Sequence, residues 1–246
     1  MEFKIVHIEE TDSTNRWLRS FGSKEYRNIG GASSEASIVV VADYQTAGKG
    51  CGTNTWESER GKNLTFSMLI HPKGIPANQQ FHITEVVSVA LCKTLQSYIY
   101  NKVEIKWPND IYVGDKKICG ILIENRLQST DIKDCIIGIG LNANQTVFKS
   151  DAPNPVSIRQ LTGKETDLNE LLKAFLDCFD KECNNKTTCF EYRKMLFRKG
   201  KDSLYKDKTT CFTARLTDVL PDGRLLLVDK EGREHTYAFK EVQFII

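Results

Sequence analysis

The chain of 246 residues has no apolar run approaching the ~20 residues that a membrane-spanning helix needs. No charge of one sign dominates it: 34 lysines and arginines face 32 aspartates and glutamates, a net charge of +2. That balance argues against a strongly basic nucleic-acid surface. Histidine is scarce, with four in all and none between residues 83 and 234. The eight cysteines, at 51, 92, 119, 135, 178, 183, 189 and 211, include no C-x-x-C pair. A metal site at the loose cluster Cys178, Cys183 and Cys189 therefore reads poorly, and reduced thiols of a cytosolic protein are expected. The first dozen residues lack the apolar core of a signal peptide, which points to a soluble cytoplasmic protein. Internal repeats and low-complexity segments are also missing. With 40% hydrophobic residues, the length suffices for one main core and a small satellite unit.

The chain is organised around residues 39–56. A β-branched apolar run, Val39-Val40-Val41, reads as a buried strand. It breaks into Gly48-Lys49-Gly50-Cys51-Gly52 and closes on Trp56. Glycines let backbone N–H groups face an anion closely, and a lysine adds a point charge. Such a loop is a candidate phosphate or adenylate cradle, but an ordinary glycine-rich turn reads equally well. It matches neither G-x-G-x-x-G nor G-x-x-x-x-G-K-[ST].

Upstream, residues 3–8 alternate as a first strand. Asp12-Ser13-Thr14-Asn15 then offers N-cap residues to a helix in which Trp17, Leu18 and Phe21 share a face. Capping alone accounts for that polar cluster. Downstream, 63–70 reads as a strand with one polar face (Asn63, Thr65, Ser67), and 78–100 as the longest helix. Short strands at 103–106 and 111–113 flank Trp107-Pro108-Asn109-Asp110, and Gly114-Asp115 turns into a return strand over 117–125. Alternation places Lys117 on one side with Cys119, Ile121 and Ile123. A lysine there either snorkels from a sheet edge or aims into a cleft. A strand over 135–142, a loop over 151–159 and a helix over 168–184 follow. A helix over 190–199 is expected to end at Gly200 as its C′ residue. From there, strands over 209–219, 224–229 and 235–239 with tight turns predict a small β unit.

Four blocks stand in a fixed order: Thr11-Asp12-Ser13-Thr14-Asn15, the glycine loop, Lys106-Trp107-Pro108-Asn109-Asp110 with Lys116-Lys117-Ile118-Cys119-Gly120-Ile121-Leu122-Ile123-Glu124, and Gly138-Ile139-Gly140-Leu141-Asn142. In this order and spacing they resemble the biotin–protein ligase family, strongly over about 8–162 and weakly beyond. The resemblance implies an α+β fold, with a mixed, largely antiparallel sheet flanked by helices, like class II synthetases. Residues 1–199 would be the biotin- and ATP-binding catalytic domain, and 200–246 a small SH3-like β domain.

The implied activity is that of a biotin–[acetyl-CoA-carboxylase] ligase. ATP and biotin give biotinyl-AMP, and the biotinyl group passes to a lysine of a biotin carboxyl carrier protein. By resemblance, Ser13, Thr14, Asn15, Gln45, Gly48, Lys117 and Gly120 bind biotin. Gly48, Lys49, Gly50, Cys51, Trp56, Asn109 and Asn142 bind the nucleotide. Lys117, where the family has a lysine seven residues past the aspartate of the Trp-Pro-Asn-Asp block, is the catalytic cation. Asp110 either holds Mg²⁺ or orients Lys117. Cys51 departs from the family, in which most members carry arginine, and Arg60 or Lys62 folding back is one source of the missing charge. With little chain before Ile5, the expectation is a form without a DNA-binding module and without DNA as partner; a homodimer is left open. A lipoate ligase is the competing enzyme, though it would lack the Gly-Lys-Gly and Lys-Trp-Pro-Asn-Asp pairing. A biotin-responsive regulator would need the DNA-binding module.

Overall fold

Alternating or β-branched apolar runs build the larger sheet, and one change of period, to helical spacing, covers its back. The computed structural model describes residues 1–20, 36–149 and 154–246. Seven strands stand in the order β1-β2-β3-β7-β6-β5-β4. They are β1 (Phe3–Thr11), β2 (Ser37–Gln45), β3 (Leu64–Ile70), β4 (Val103–Lys106), β5 (Asp110–Val113), β6 (Lys116–Gln128) and β7 (Asp131–Leu141). β1 runs parallel to β2, and every other pairing in this sheet is antiparallel. The expected mixed, largely antiparallel sheet flanked by helices is what forms.

One face carries the main core. Val39, Phe66, Met68, Cys119, Ile121, Ile137 and Ile139 point to it, and two long helices close over it, α2 (Phe81–Gln96) and α4 (Leu168–Cys183). In α4, Leu171, Leu172, Phe175, Leu176 and Phe179 fall at helical spacing and are all buried. Asp167 caps it, accepting from the backbone N–H groups of Asn169 and Glu170. Phe175 meets Phe66 edge-on at 5.5 Å, a contact worth about 1 kcal/mol beyond the area it buries. Burial pushes the Cys135 thiol on this side up to about 12, and that of Cys119 higher still. Neither is a nucleophile.

The opposite face is covered only in part. The short helix α1 (Thr14–Ser20) seats Leu18 on Ile38, Val40 and Leu69. The expected partner Phe21 lies outside the described residues. Beyond α1 the face opens into a cleft. On the polar side of β3, Thr65 borders this cleft, and Ser67, 0% exposed, is enclosed behind it against Thr14 and Asn15. Asn63 and Thr65 on the same side are buried too.

A second, antiparallel sheet runs β11-β10-β9-β8-β12: β8 (Asp202–Lys206), β9 (Cys211–Val219), β10 (Leu225–Asp229), β11 (Glu234–Tyr237) and β12 (Gln243–Phe244). It docks through Trp107, whose Nε1 donates to the Gly223 carbonyl at 2.9 Å. Phe81 packs beneath Gly223, where φ is +88° and a Cβ would meet the ring.

Three expectations need correction. α3 (Ile158–Thr162), closed by a Ser157/Gln160 capping box, lies partly within the expected loop; five residues are too few to show a period. The helix expected over 190–199 is α5 (Thr188–Lys194). It stops because Leu196 turns extended beside β4: Ile105 donates to Met195 O and Phe197 donates to Ile105 O. Gly200 is therefore no helix C′ residue; at φ +73° it donates its N–H to Leu216 O. Finally, the β unit begins with β8, ahead of the strand expected at 209.

Candidate active site

The cleft runs along the open face of the larger sheet and encloses about 1070 Å³. Its polar end forms where β1 turns into α1. Thr14 donates to Gln45 Oε1 from both its backbone N–H (2.8 Å) and its hydroxyl (3.0 Å). The Ser67 hydroxyl lies 2.6 Å from Thr14 Oγ1 and 2.6 Å from Asn15 Oδ1. Asn15 Nδ2 donates to Glu124 at 2.9 Å. Gly138 makes room for this amide: a Cβ there would overlap it. Ser13, Thr14 and Asn15 are all buried at the cleft wall. The cluster is thus more than a helix cap, since its side chains are tied to β2, β3 and β6. A fixed set of buried donors and acceptors is the chemistry that recognises a small polar ring.

The floor beside it is stripped of side chains. On β6 and β7, Gly120 and Gly140 let the Trp56 indole lie flat on the sheet. A Cβ at Gly140 would overlap the indole, and one at Gly120 would meet it at 3.0 Å. The indole Nε1 is buried and finds no hydrogen-bond partner among the described residues. Trp56 ends a small closed hairpin, in which its N–H donates to Gly48 O and Gly50 N–H donates to Asn54 O. Lys49 and Thr55 bridge across it. Lys49, Gly50 and Cys51 border the cleft. Gly48 is buried, and a side chain there would meet the Trp56 carbonyl at 2.6 Å, so its bareness closes the hairpin.

Lys117 reaches the cleft by a route that simple alternation misses. β5 and β6 slip register between Ile111 and Tyr112, so that Ile111 faces Cys119 but Tyr112 faces Lys117. The extra residue is Ile118, buried with Cys119 in the core. The bulge therefore moves Lys117 off the Cys119/Ile121/Ile123 side and onto that of Gly120. A Cβ at Gly120 would lie 3.3 Å from the Lys117 ammonium. That ammonium pairs with Asp110 at 2.7 Å, and the two side chains are 30% and 27% exposed. It also sits 5.7 Å from the Trp56 ring. Asn109 donates to Ile121 O at 2.7 Å, fixing the turn that presents Asp110. Asn142 is 2% exposed. Its Nδ2 donates to Val156 O, and its Oδ1 has no partner among the described residues.

Several cleft residues escaped the sequence reading. Ser67 and Glu124 back the polar end, holding Thr14 and Asn15 from behind the cleft wall, and the polar side of β3 was the signal for Ser67. Lys106 stands over the Tyr112 and Phe244 rings, at 5.1 and 5.5 Å. Burial lowers its pKa, Asp110 partly offsets this, and Lys117 and Arg198 add to it. Burial likewise pushes the Tyr112 hydroxyl up to about 12, with Asp110 reinforcing it. The C-terminal sheet contributes Phe239, Lys240 and Phe244 to the rim. Arg60 does not fold back toward the loop: it pairs with Glu10 and stacks on Tyr44 at 4.8 Å. Among the described residues no three histidine, cysteine or carboxylate side chains cluster to form a metal cage.

Comparison with known proteins agrees with this geometry. The family model described as "Biotin/lipoate A/B protein ligase family" matches residues 8–142. Over 211 residues the chain is 30% identical to the bifunctional ligase/repressor BirA of Bacillus spizizenii, covering 81% of this chain and 64% of that protein. It thus spans a little under two thirds of that relative's length. It is 28% identical over 178 residues to a biotin–[acetyl-CoA-carboxylase] ligase of Paracoccus denitrificans, covering 70% of each. A solved structure with the same fold is the biotin protein ligase from Aquifex aeolicus in complex with biotin and ATP. Its TM-score is 0.78 at 23% identity, covering 98% of this chain and 99% of that one. The match over more than half of the chain, across the segment that builds the cleft, places this protein in the biotin/lipoate A/B protein ligase family.

Proposed function

We propose that this chain is a biotin–protein ligase. It activates biotin with ATP to biotinyl-5′-AMP and transfers the biotinyl group to a lysine of a biotin carboxyl carrier domain. Residues 1–199 act as the catalytic unit, with 200–246 as the small β unit. The observation that carries the reading is the polarity of one cleft. A buried amide and hydroxyl set sits at one end, lysines at the other, and an indole on bare sheet between them. The named relatives and the biotin- and ATP-bound neighbour support the same choice of substrates. Ser13, Thr14, Asn15 and Gln45, with Ser67 behind them, meet a neutral cyclic urea, which needs donors and acceptors together. A dithiolane ring offers neither and would make no hydrogen bonds with this polar wall. That favours biotin over lipoate.

In the first step, a biotin carboxylate oxygen forms a bond to the α-phosphorus, and pyrophosphate leaves. Two anions approach, so the site must hold fixed positive charge where the new charge gathers. Lys117 stands there, held in place by Asp110. Lys49 and the amides of the loop cover the nucleotide side. Trp56 and Asn142 each present a buried polar atom without a partner among the described residues, ready for a ligand. In the second step, the acceptor amine attacks the acyl carbon and AMP leaves. Shielding matters between the steps, since a mixed anhydride hydrolyses when water reaches it. Magnesium would be carried by the nucleotide phosphates with one or two protein carboxylates. Asp110 is the carboxylate beside Lys117 that would meet it, and the ion would neutralise phosphate charge.

No helix among the described residues is long and apolar enough to cross a membrane; a cytoplasmic location is part of this reading, since the proposed reaction consumes ATP. The test is pyrophosphate release and formation of labelled biotinyl-AMP from biotin and MgATP, then from lipoate in its place. Turnover with lipoate alone would reassign the substrate. Tight binding to a defined DNA operator at physiological salt would favour a regulator.

A further inference from the structure

The glycine loop carries one cation of its own, Lys49, and ends its charged stretch at the neutral Cys51. Lys117 has its charge matched by Asp110, and Arg60 is directed to Glu10. Besides Lys49, the larger sheet brings this cavity one other lysine without an ion pair among the described residues, Lys106, which stands over the Tyr112 and Phe244 rings, so a triphosphate at the loop would meet little other positive charge from that sheet. The second sheet supplies one. Gly52 has φ +71°, and a Cβ built on it would lie 2.6 Å from the Lys240 ammonium. The bare side of the loop is thus turned toward a lysine nearly two hundred residues away in sequence, and Cys51 and Lys240 border the same cavity.

Lys240 is held there at a cost. Its φ is +69°, in the left-handed region that a residue with a side chain rarely adopts. A closed turn imposes it: Glu241 N–H donates to Ala238 O, and Ala238 N–H donates to the Glu241 carboxylate at 2.7 Å. Arg198, at φ +59°, spends its guanidinium on Ile245 O and Asp115. Lys240 makes no ion pair among the described residues; its ammonium stands 5.8 Å from the Phe239 ring. A strained backbone that holds an uncommitted cation at the lip of a cleft fits an anion that arrives with the ligand.

We propose that Lys240 is the second cation of the glycine loop, so that the phosphate half of the nucleotide is held between the two sheets by Lys49 and Lys240. This rests on the ligase reading above. A charge-assisted hydrogen bond from Lys240 makes ATP binding about tenfold tighter.

The experiment compares wild type with Lys240→Asn, Lys240→Arg and the double variant Lys240→Asn/Cys51→Arg. Asparagine tolerates the left-handed backbone, so the first variant removes charge without adding strain. Titration calorimetry gives the dissociation constants for ATP and, separately, for biotin. Lys240→Asn should weaken ATP about tenfold with biotin affinity and melting temperature unchanged. Lys240→Arg should bind as wild type does, and Cys51→Arg should restore most of the loss. An ATP constant within twofold of wild type in Lys240→Asn overturns the proposal, as does an equal loss for biotin, which would mark a structural role. Pyrophosphate release by wild type is followed in parallel. Its absence would sink the ligase reading, while the ATP titration would still decide the role of Lys240.

Discussion

Replacing Lys117 by alanine separates a role in chemistry from a role in the fold. The side chain is about a third exposed, and so is that of its partner Asp110. An ion pair in that setting contributes about 0–1 kcal/mol to stability after screening by solvent. Loss of a preorganised charge at a developing phosphoryl transition state costs about 3 kcal/mol, or roughly 150-fold in rate. Lys117→Ala should therefore melt within a few degrees of wild type, yet release pyrophosphate about two orders of magnitude more slowly. The assay is single-turnover pyrophosphate release with saturating biotin and MgATP, so that weakened binding does not pass for slowed chemistry. Asp110→Asn adds a second axis. An amide oxygen still accepts from Lys117, so a purely orienting aspartate predicts a modest loss with the same magnesium requirement. A raised magnesium requirement would assign Asp110 to the ion. Near-normal pyrophosphate release by a folded Lys117→Ala protein would refute the reasoning outright.

Gly140→Ala would ordinarily stabilise a strand by about 0.5–1 kcal/mol. Here the new methyl meets the Trp56 indole, so a net loss of about 1–3 kcal/mol is expected, read as a lower urea midpoint at unchanged slope; a stabilised variant would contradict the placement of Trp56. Lys106 is a lysine whose pKa burial lowers, so the unfolded chain holds its proton to higher pH than the folded one, and this group's contribution to stability rises with pH through the window between those two values. Lys106→Met should accordingly raise the melting temperature at pH 7, with the margin shrinking as pH climbs toward the ordinary lysine range; a margin independent of pH would count against it. Cys51, at the cleft, should react with a small thiol reagent and be protected by biotin with ATP, whereas exposed Cys211 should react alike in both conditions; peptide mapping by mass spectrometry distinguishes them.

The order of elements was legible because period and punctuation agreed. The alternation in 64–70, the helical spacing of Leu171, Phe175 and Phe179, and the glycine at the 114–115 turn each point one way. What sequence could not show was non-local. Whether the polar side of β3 meets water or a cleft depends on how little of that face α1 covers. The end of α5 depends on an extended pairing with Ile105, 91 positions upstream of Leu196. Most of the named site residues border one cavity, but Lys106 and Lys240 joined them there, and Ser67 came to back them, through packing between elements far apart in sequence. Arg60 shows the converse: it is near the loop in sequence, yet Glu10 and Tyr44 hold it elsewhere.

The cleft is encoded largely by side chains that are missing, and this explains why the same sheet can be a rigid core on one side and a site on the other. Along β7, Ile137, Ile139 and Leu141 fill the core face, while Gly138 and Gly140 alternate with them on the cleft face. β6 repeats the pattern, with Cys119 and Ile121 inward and Gly120 outward. The volume those glycines release is taken up by Asn15 and Trp56, which come from other elements. Polar atoms thereby reach a surface whose own strands supply only backbone. The Ile118 bulge then turns Lys117 to the same hollow. Residues on one face answer to packing density, where a lost methylene costs about 1 kcal/mol. Those on the other answer to where a ligand's polar atoms must fall. Adding a methyl at 138 or 140 therefore damages binding through Asn15 or Trp56 while the core face behind it stays packed.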